Sequence, residues 1–234
     1  MLSQSQVNIE YIIIDGASTD GTLDIINTYR SHIAHIVSEP DDGIYDAMNK
    51  GMSLATGTYI GTLNSDDFYI DSNVVHCLTD KIESEKTDSV FADLLIVDPI
   101  DTNSVKRYYD SGHFHPNRLK FGLMPAHPTM LVRRSVYDHS GGYAAGFKIA
   151  ADFEMMVRLY HKHKCSYSYI PQPMVKMRSG GVSTSGVRSS ILLNQEIVRA
   201  CRHHGLNSNL PMLLMKGPTK IKELIRGRFH RFVN

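Results

Sequence analysis

The apolar and polar positions of the first third of the chain alternate between two periods. Residues 9–15, Ile-Glu-Tyr-Ile-Ile-Ile-Asp, form a nearly unbroken β-branched run, the pattern of a strand buried on both faces in a parallel sheet. The run passes into Gly16-Ala17-Ser18-Thr19-Asp20-Gly21, a turn rich in glycine and capping residues, and then into a helix carrying Leu23, Ile26 and Tyr29 inward. Residues 33–38 predict a second strand. Ile44, Met48, Met52 and Ala55 recur at helical spacing after Gly43, and Gly57 ends that helix. Residues 58–63 then predict a third strand, which runs directly into Asn64-Ser65-Asp66-Asp67. A strand, helix, strand, helix, strand order predicts a doubly wound parallel sheet. Ligands bind beyond the carboxyl ends of strands in such sheets, so Asp15, the residues after Ser38 and the Asn64–Asp67 cluster are expected at one edge.

Further along, Asp71-Ser72 is expected to cap a helix bearing Val74, Val75, Leu78 and Ile82. Residues 90–97 and 105–109 predict an antiparallel hairpin. Residues 111–128 are punctuated by glycine and proline and predict irregular chain, followed by a short strand over 129–132. Asp152 heads a helix whose buried stripe is Phe153, Met156, Val157 and Tyr160. Residues 167–170 and 174–177 predict two late strands, 179–186 a glycine-rich loop, and 190–203 a helix. The last stretch differs in kind. Ile221, Ile225, Phe229 and Phe232 share a helical face, and Lys220, Lys222, Arg226, Arg228 and Arg231 face the single acid Glu223. Such a helix either lies on an anionic membrane surface or docks on the domain with a solvated basic face.

Composition narrows the class. With 234 residues, 42% hydrophobic and 21% charged, the chain is an ordinary globular protein, and a formal net charge of +1 gives no reason to expect nucleic-acid binding. Cys77, Cys165 and Cys201 lie far apart with no C-x-x-C pair, which argues against a disulfide framework or zinc site and fits a reducing compartment. No apolar run reaches the length of a membrane span, and the first residues are not those of a signal peptide. The adjacent Asp66 and Asp67 can hold a hard divalent cation, which can grip a diphosphate, although Asn, Ser and Asp also favour plain turns. An apolar strand ending at Asp15 also raises a haloacid-dehalogenase-like phosphatase, but such an enzyme needs a second aspartate where Ala17 stands.

Four segments resemble one family. The run from Ile12-Ile13-Ile14-Asp15-Gly16-Ala17-Ser18-Thr19-Asp20-Gly21-Thr22 looks like the first signature of the family 2 glycosyltransferases, which have the GT-A fold. Asp42-Gly43-Ile44-Tyr45-Asp46-Ala47-Met48-Asn49-Lys50-Gly51 is similar to the family's second helix segment. Leu63-Asn64-Ser65-Asp66-Asp67 is similar to its D-x-D-type metal motif, and Ile149-Ala150-Ala151-Asp152-Phe153-Glu154 to the segment bearing its catalytic base. The four occur in the family's order over roughly residues 9–185, and the subgroup they resemble most assembles bacterial capsule, exopolysaccharide and O-antigen.

The resemblance implies an α/β, Rossmann-like GT-A domain over residues 1–205, with a mostly parallel sheet and flanking helices, and a basic amphipathic tail over 206–234. It implies inverting transfer from a nucleotide-diphospho-sugar to a saccharide or lipid-linked saccharide, with Mn²⁺ or Mg²⁺ on the diphosphate, in the cytoplasm or at the inner face of the membrane. Asp152 matches the general base, and Asp15, with Ser18, the contact to the donor's nucleoside. Asp42, Asn49 and Lys50 match donor phosphate or sugar contacts. Asp66 matches the metal ligand and Asp67 a supporting carboxylate. Asn64 stands where the commonest pattern has an aspartate; it can bond a ribose hydroxyl but brings no charge. His127 falls on the acceptor side. Arg178 and the Gly180-Gly181-Val182-Ser183 loop are expected to close over the diphosphate. Family members carry a further strand and helix ahead of the segment matching residues 9–15, so the resemblance predicts an N-terminally truncated form of the fold, with two neighbouring strands short of a partner. A nucleotide-sugar-binding subunit without transfer activity is the alternative reading.

Overall fold

The computed structural model describes residues 1–180 and 186–230. In chain order the strands and helices are β1 (Ile12–Asp15), α1 (Thr22–Thr28), β2 (His35–Ser38), α2 (Ile44–Leu54), β3 (Tyr59–Ile60), β4 (Phe68–Tyr69) and α3 (Val74–Glu85). They continue as β5 (Ser89–Val97), β6 (Val105–Tyr109), β7 (Leu131–Arg133), α4 (Arg134–Ser140), α5 (Ala151–Met156), β8 (Tyr167–Arg178), α6 (Val187–His203), α7 (Leu210–Leu213) and α8 (Gly217–His230). Two 3₁₀ turns, Pro116–Phe121 and His127–Thr129, occupy the stretch expected to be irregular.

The α/β class with flanking helices stands, but the sheet is mixed rather than mostly parallel. β1 and β2 pair in parallel, Ile12 opposite His35 and Asp15 opposite Ser38. A second sheet runs β3-β7-β5-β8-β4, with β6 also on β5. There β5 and β8 are parallel, while β3–β7, β5–β7, β5–β6 and β4–β8 are antiparallel. Chain economy explains the reversal at β6: the short link after β5 can only turn the strand back, since a parallel return needs a crossover of a dozen or so residues. β3 is shorter than expected, because residues 62–67 leave the sheet for a turn closed by the Asp67 N–H on the Asn64 carbonyl at 3.1 Å. It pairs with β7, and among the described residues no pairing joins β1 to β3. Glu10 ties the two sheets together. Its carboxylate accepts the N–H groups of Thr56 (2.7 Å) and Gly57 (3.0 Å) at the entrance to β3.

β5 is the central strand, buried along nearly its whole length, which is why its sequence shows no alternation. On one face Val74, Leu78 and Ile82 of α3 pack with Val90, Ala92 and Met174. On the other lies the main core of Phe91, Met155, Met156, Leu159 and Tyr160, to which Leu206 and Leu213 also belong. The two late strands form one, β8, because the chain stays extended through Pro171 and Pro173 while its register with β5 shifts around Asp93. Prolines donate no ladder hydrogen bond and are accommodated at such irregularities. The cap of α3 is also not as expected: Asp71 accepts the Asn73 N–H at 2.7 Å, outside the helix, and the Val75 N–H is met by the Gln4 side chain at 2.9 Å. The short helix α4, in a stretch for which no element was expected, buries Tyr137.

The tail helix is docked. Gly227 lies so close to the main chain of β6 that a Cβ there would sit 2.7 Å from Arg107 Cα. Arg107 pairs with Glu223, Arg226 bonds Asp110 at 2.8 Å, and the Arg226 guanidinium lies 3.9 Å over the Tyr108 ring.

Candidate donor and transfer site

The carboxyl ends of β1 and β2 carry the first group of side chains. Asp15 Oδ2 accepts the Ser18 N–H at 3.0 Å and the Ser38 hydroxyl at 2.6 Å; the Ser18 side chain first, then that of Ser38, holds its carboxyl below the usual range against burial. The turn between them needs its small residues. Ala17 sits at φ 62°, in the left-handed region, and a Cβ on Gly16 would meet Asp41 Oδ2 at 2.7 Å. Asp41 itself accepts the Gly43 N–H at 2.9 Å, setting the entrance to α2. Asp42 is exposed, with its N–H on Asp46 at 3.3 Å.

Two of the expected donor contacts have partners within the chain. Asn49 donates to the Tyr143 carbonyl (2.9 Å) and accepts the Tyr143 N–H (2.8 Å), so both ends of its amide brace a loop. The Lys50 ammonium sits on Glu39 (2.9 Å), Asp46 (3.3 Å) and the Pro40 carbonyl (2.9 Å), anchoring the β2–α2 connection.

The acidic turn after β3 divides its two carboxylates. Asp66 is exposed, and its backbone carbonyl accepts Arg178 Nη1 at 2.7 Å; the guanidinium also lies 5.3 Å over the Phe68 ring. Asp67 is buried, with Oδ2 3.3 Å from the Asn64 amide and, among the described residues, no partner for Oδ1. Burial, then the neighbouring Asp66, pushes its carboxyl up to about 7, against Asn64 and Arg178. Arg178 thus braces the turn from the end of β8. Gly181, Val182 and Ser183 of the expected lid lie outside the described residues. No group of three His, Cys, Asp or Glu side chains fit to hold a metal occurs among the described residues.

Asp152 heads α5. Its Oδ1 accepts the Phe153 N–H at 2.7 Å and the Tyr45 hydroxyl at 3.1 Å; among the described residues Oδ2 takes no hydrogen bond. Tyr45, from the first turn of α2, shares its one hydroxyl proton between Asp152 Oδ1 and the nearer Ile149 carbonyl at 2.6 Å, and stacks on Tyr143 at 5.5 Å. The Tyr143 hydroxyl meets His127 Nε2 at 2.7 Å and lies 3.4 Å from the Thr62 hydroxyl, two residues before Asn64. A contact chain therefore runs from Asp152 to the root of the acidic turn. His127 is a buried member of it, and burial depresses its pKa while Asp152 opposes the shift. α2 spans the two regions, its entrance beside Asp41 and its first turn beside Asp152. The cavity lined by Thr56, Thr58, Arg133, Arg134, Ser135 and Asp138 opens at the start of β3, away from Asn64.

Three residues with no sequence-assigned role shape this region: Tyr45, Tyr143 and Glu196. Tyr45 lay inside a recognised segment, whereas Glu196 left no local signal. Its buried carboxylate accepts the N–H groups of Lys148 (2.9 Å), Ile149 (2.9 Å) and Ala150 (3.0 Å), fixing the chain that enters α5. Glu196→Gln turns an amide N–H₂ toward these donors, and it is expected to destabilise the protein by about 1–3 kcal/mol in urea unfolding. An unchanged midpoint would show that the three bonds are dispensable.

A mixed sheet sandwiched by helices, with an acidic turn leaving it beside a helix-borne aspartate, has the architecture of GT-A glycosyltransferases. The same fold is seen in S. aureus TarS 1-349, with a TM-score of 0.63 and 16% identity over 98% of this chain and 65% of that one. The crystal structure of that protein with UDP-GlcNAc aligns at 0.59, over 98% of this chain and 66% of that one, at 16% identity. The chain belongs to glycosyl transferase family 2, whose pattern it matches over residues 1–141. It is 38% identical over 215 residues to the Escherichia coli UDP-Glc:alpha-D-GlcNAc-diphosphoundecaprenol beta-1,3-glucosyltransferase WfaP, spanning 87% of this chain and 80% of that protein. It is 31% identical over 157 residues to the Mycobacterium tuberculosis PGL/p-HBAD biosynthesis glycosyltransferase Rv2957, a match covering 65% of this chain and 59% of the relative's length. No described helix is long and apolar enough to cross a membrane.

Proposed function

We propose that this chain transfers a sugar, with inversion, from a nucleotide-diphospho-sugar to a saccharide or lipid-linked saccharide acceptor in surface polysaccharide synthesis. The likeness to WfaP supports a UDP-sugar donor and an acceptor carried on a lipid diphosphate. The observation that carries the reading is the acidic turn, where Asp67 keeps a buried carboxylate oxygen without a partner among the described residues, beside the exposed Asp66. That donor set fits Mn²⁺ or Mg²⁺, which are commonly held by one or two carboxylates together with substrate phosphates and water. Asp66 and Asp67 would hold the ion, and its charge would stabilise the departing diphosphate. Asn64 lies on the nucleotide side, and Asp15 with Ser18 bonds the nucleoside.

Asp152 removes the proton from the acceptor hydroxyl. The oxygen attacks the anomeric carbon from the face opposite the diphosphate, and the bond to the diphosphate oxygen breaks as the new glycosidic bond forms. Tyr45 and the Phe153 N–H orient Oδ1 and leave Oδ2 for the acceptor. His127 and Tyr143 form the wall on the acceptor side, and Arg178 holds the acidic turn in place.

Purified protein is incubated with radiolabelled nucleotide sugars, with Mn²⁺ or Mg²⁺ and with EDTA. Metal-dependent donor turnover is the expected result. A chain that binds a donor by calorimetry yet never turns one over is a nucleotide-sugar-binding subunit; one that binds none has neither role.

A further inference from the structure

The C-terminal helical region is folded against the domain the wrong way round for a helix that only completes a core. The backbone stays in the right-handed helical region at Leu213, Leu214 and Gly217, so α7, the turn Leu214–Lys216 and α8 follow one another without a break. Leu213 of α7 is buried in the main core, but from Lys216 onward the side facing the domain is polar or small. It comprises Glu223, buried on Arg107, Gly227 against β6, and Lys216, whose ammonium donates to Asn194 at 2.9 Å. The apolar residues point to solvent instead. Leu210, Leu214, Met215, Ile221, Leu224 and Ile225 are between 49 and 79% exposed, and their spacing is that of one helical stripe. Lys222 and Arg226 are exposed and follow Ile221 and Ile225 by one position each.

We propose that this stripe is a docking face for an anionic lipid bilayer, in which the helix lies in the interface with its leucines and isoleucines among the acyl chains. Charge selects this occupant. Lys220, Lys222 and Arg226 are exposed along α8, whose one acid, Glu223, is matched by Arg107; Arg226 is shared with Asp110 of the domain, and Lys222 Nζ lies 3.1 Å from His113 Nε2. The surround of the stripe is therefore basic in a protein whose formal net charge is only +1. A second copy placed face to face would bring two basic rims together, whereas anionic headgroups neutralise one. A patch of large apolar side chains with a basic rim is also the composition of helices that lie in a membrane interface. The docked-helix and membrane-surface readings of the tail are thereby compatible: opposite faces of one helix serve the two contacts.

The chain contains no tryptophan, so one introduced residue reports alone. In the full chain, Leu224→Trp is titrated with vesicles of phosphatidylglycerol and phosphatidylcholine, and separately with phosphatidylcholine alone. The expected result is a blue-shifted, brighter emission with the anionic vesicles, weakened about tenfold when salt is raised to about 0.5 M. Ile100→Trp, at a hairpin position 92% exposed, is expected not to respond. Ile221→Glu with Leu224→Glu is expected to cut vesicle flotation more than about tenfold while leaving thermal unfolding in place, since both side chains are solvent-facing. Three results would overturn the proposal: no response of Leu224→Trp to anionic vesicles, an equal response to phosphatidylcholine alone, or a shift without vesicles that tracks a dimer in sedimentation. None of these measurements uses a donor or acceptor, so their outcome is independent of whether the chain transfers sugar.

Discussion

Asp152→Asn is expected to lower kcat about 10³-fold, roughly 4 kcal/mol in the transition state, while donor affinity stays within about twofold. The substitution is nearly isosteric. An asparagine oxygen can still accept the Phe153 N–H and the Tyr45 hydroxyl, so the geometry of α5 is kept and only the proton-accepting charge is lost. The donor contacts assigned to Asp15 and to the acidic turn are untouched, which is why kcat and donor binding should separate. Initial rates at saturating donor, with calorimetry of donor binding, make the comparison. His127 is an alternative base on this side, but it is buried, and its Nε2 is already engaged by the Tyr143 hydroxyl at 2.7 Å. Turnover retained by the asparagine variant would refute the assignment.

Asp67→Asn is expected to act in opposite directions with and without metal. In the metal-free protein the Asp67 carboxyl titrates at about 7 in the folded state against an ordinary 3.8, chiefly because it is buried. A raised folded value means the folded state binds the proton more tightly, so this stabilising contribution is full below about pH 4 and is lost as pH rises through about 7. Removing the charge should therefore stabilise the EDTA-treated protein above pH 7 by about 2–4 kcal/mol, with parent and variant converging below about pH 4. With Mn²⁺ or Mg²⁺ the ordering reverses: the variant has lost the carboxylate that would hold the ion, and metal-dependent donor binding should fall at least about tenfold. Urea unfolding from pH 4 to 8 checks the first half and calorimetry at fixed metal the second. An unchanged pH slope together with intact metal-dependent binding would remove Asp67 from the site.

What could be read from the residues was what local periodicity encodes. β1, β5, the hairpin to β6 and the helices α2, α3 and α6 each carry their signal within a dozen or so positions. The acidic turn and the helix-heading Asp152 were visible for the same reason. Strand order was not, because pairing partners are chosen by connection length and packing far from the strand itself. β8 runs through Pro171 and Pro173, residues that locally argue for a break. The site was legible in its charged members and opaque in what holds them. Tyr45 and Asp152 are 107 positions apart, and Asn49 reaches Tyr143 across 94. An exposed-looking amide or lysine in a helix reads the same whether it faces a phosphate or, like Asn49 and Lys50, braces its own chain.

The way α8 sits on β6 changes what truncation can report. Among the described residues β6 has a strand partner on one side only, β5, and the helix backbone at Gly227 lies against its main chain. Outer strands are templates for pairing with other molecules unless something shields them. Cutting the chain before Lys216 would remove the α8 part of the proposed bilayer-facing stripe, Ile221, Leu224 and Ile225, and this shield in one stroke. Such a protein is expected to self-associate through β6, and sedimentation with vesicles would then record aggregates. Substitution on the outward face separates the two roles that deletion merges.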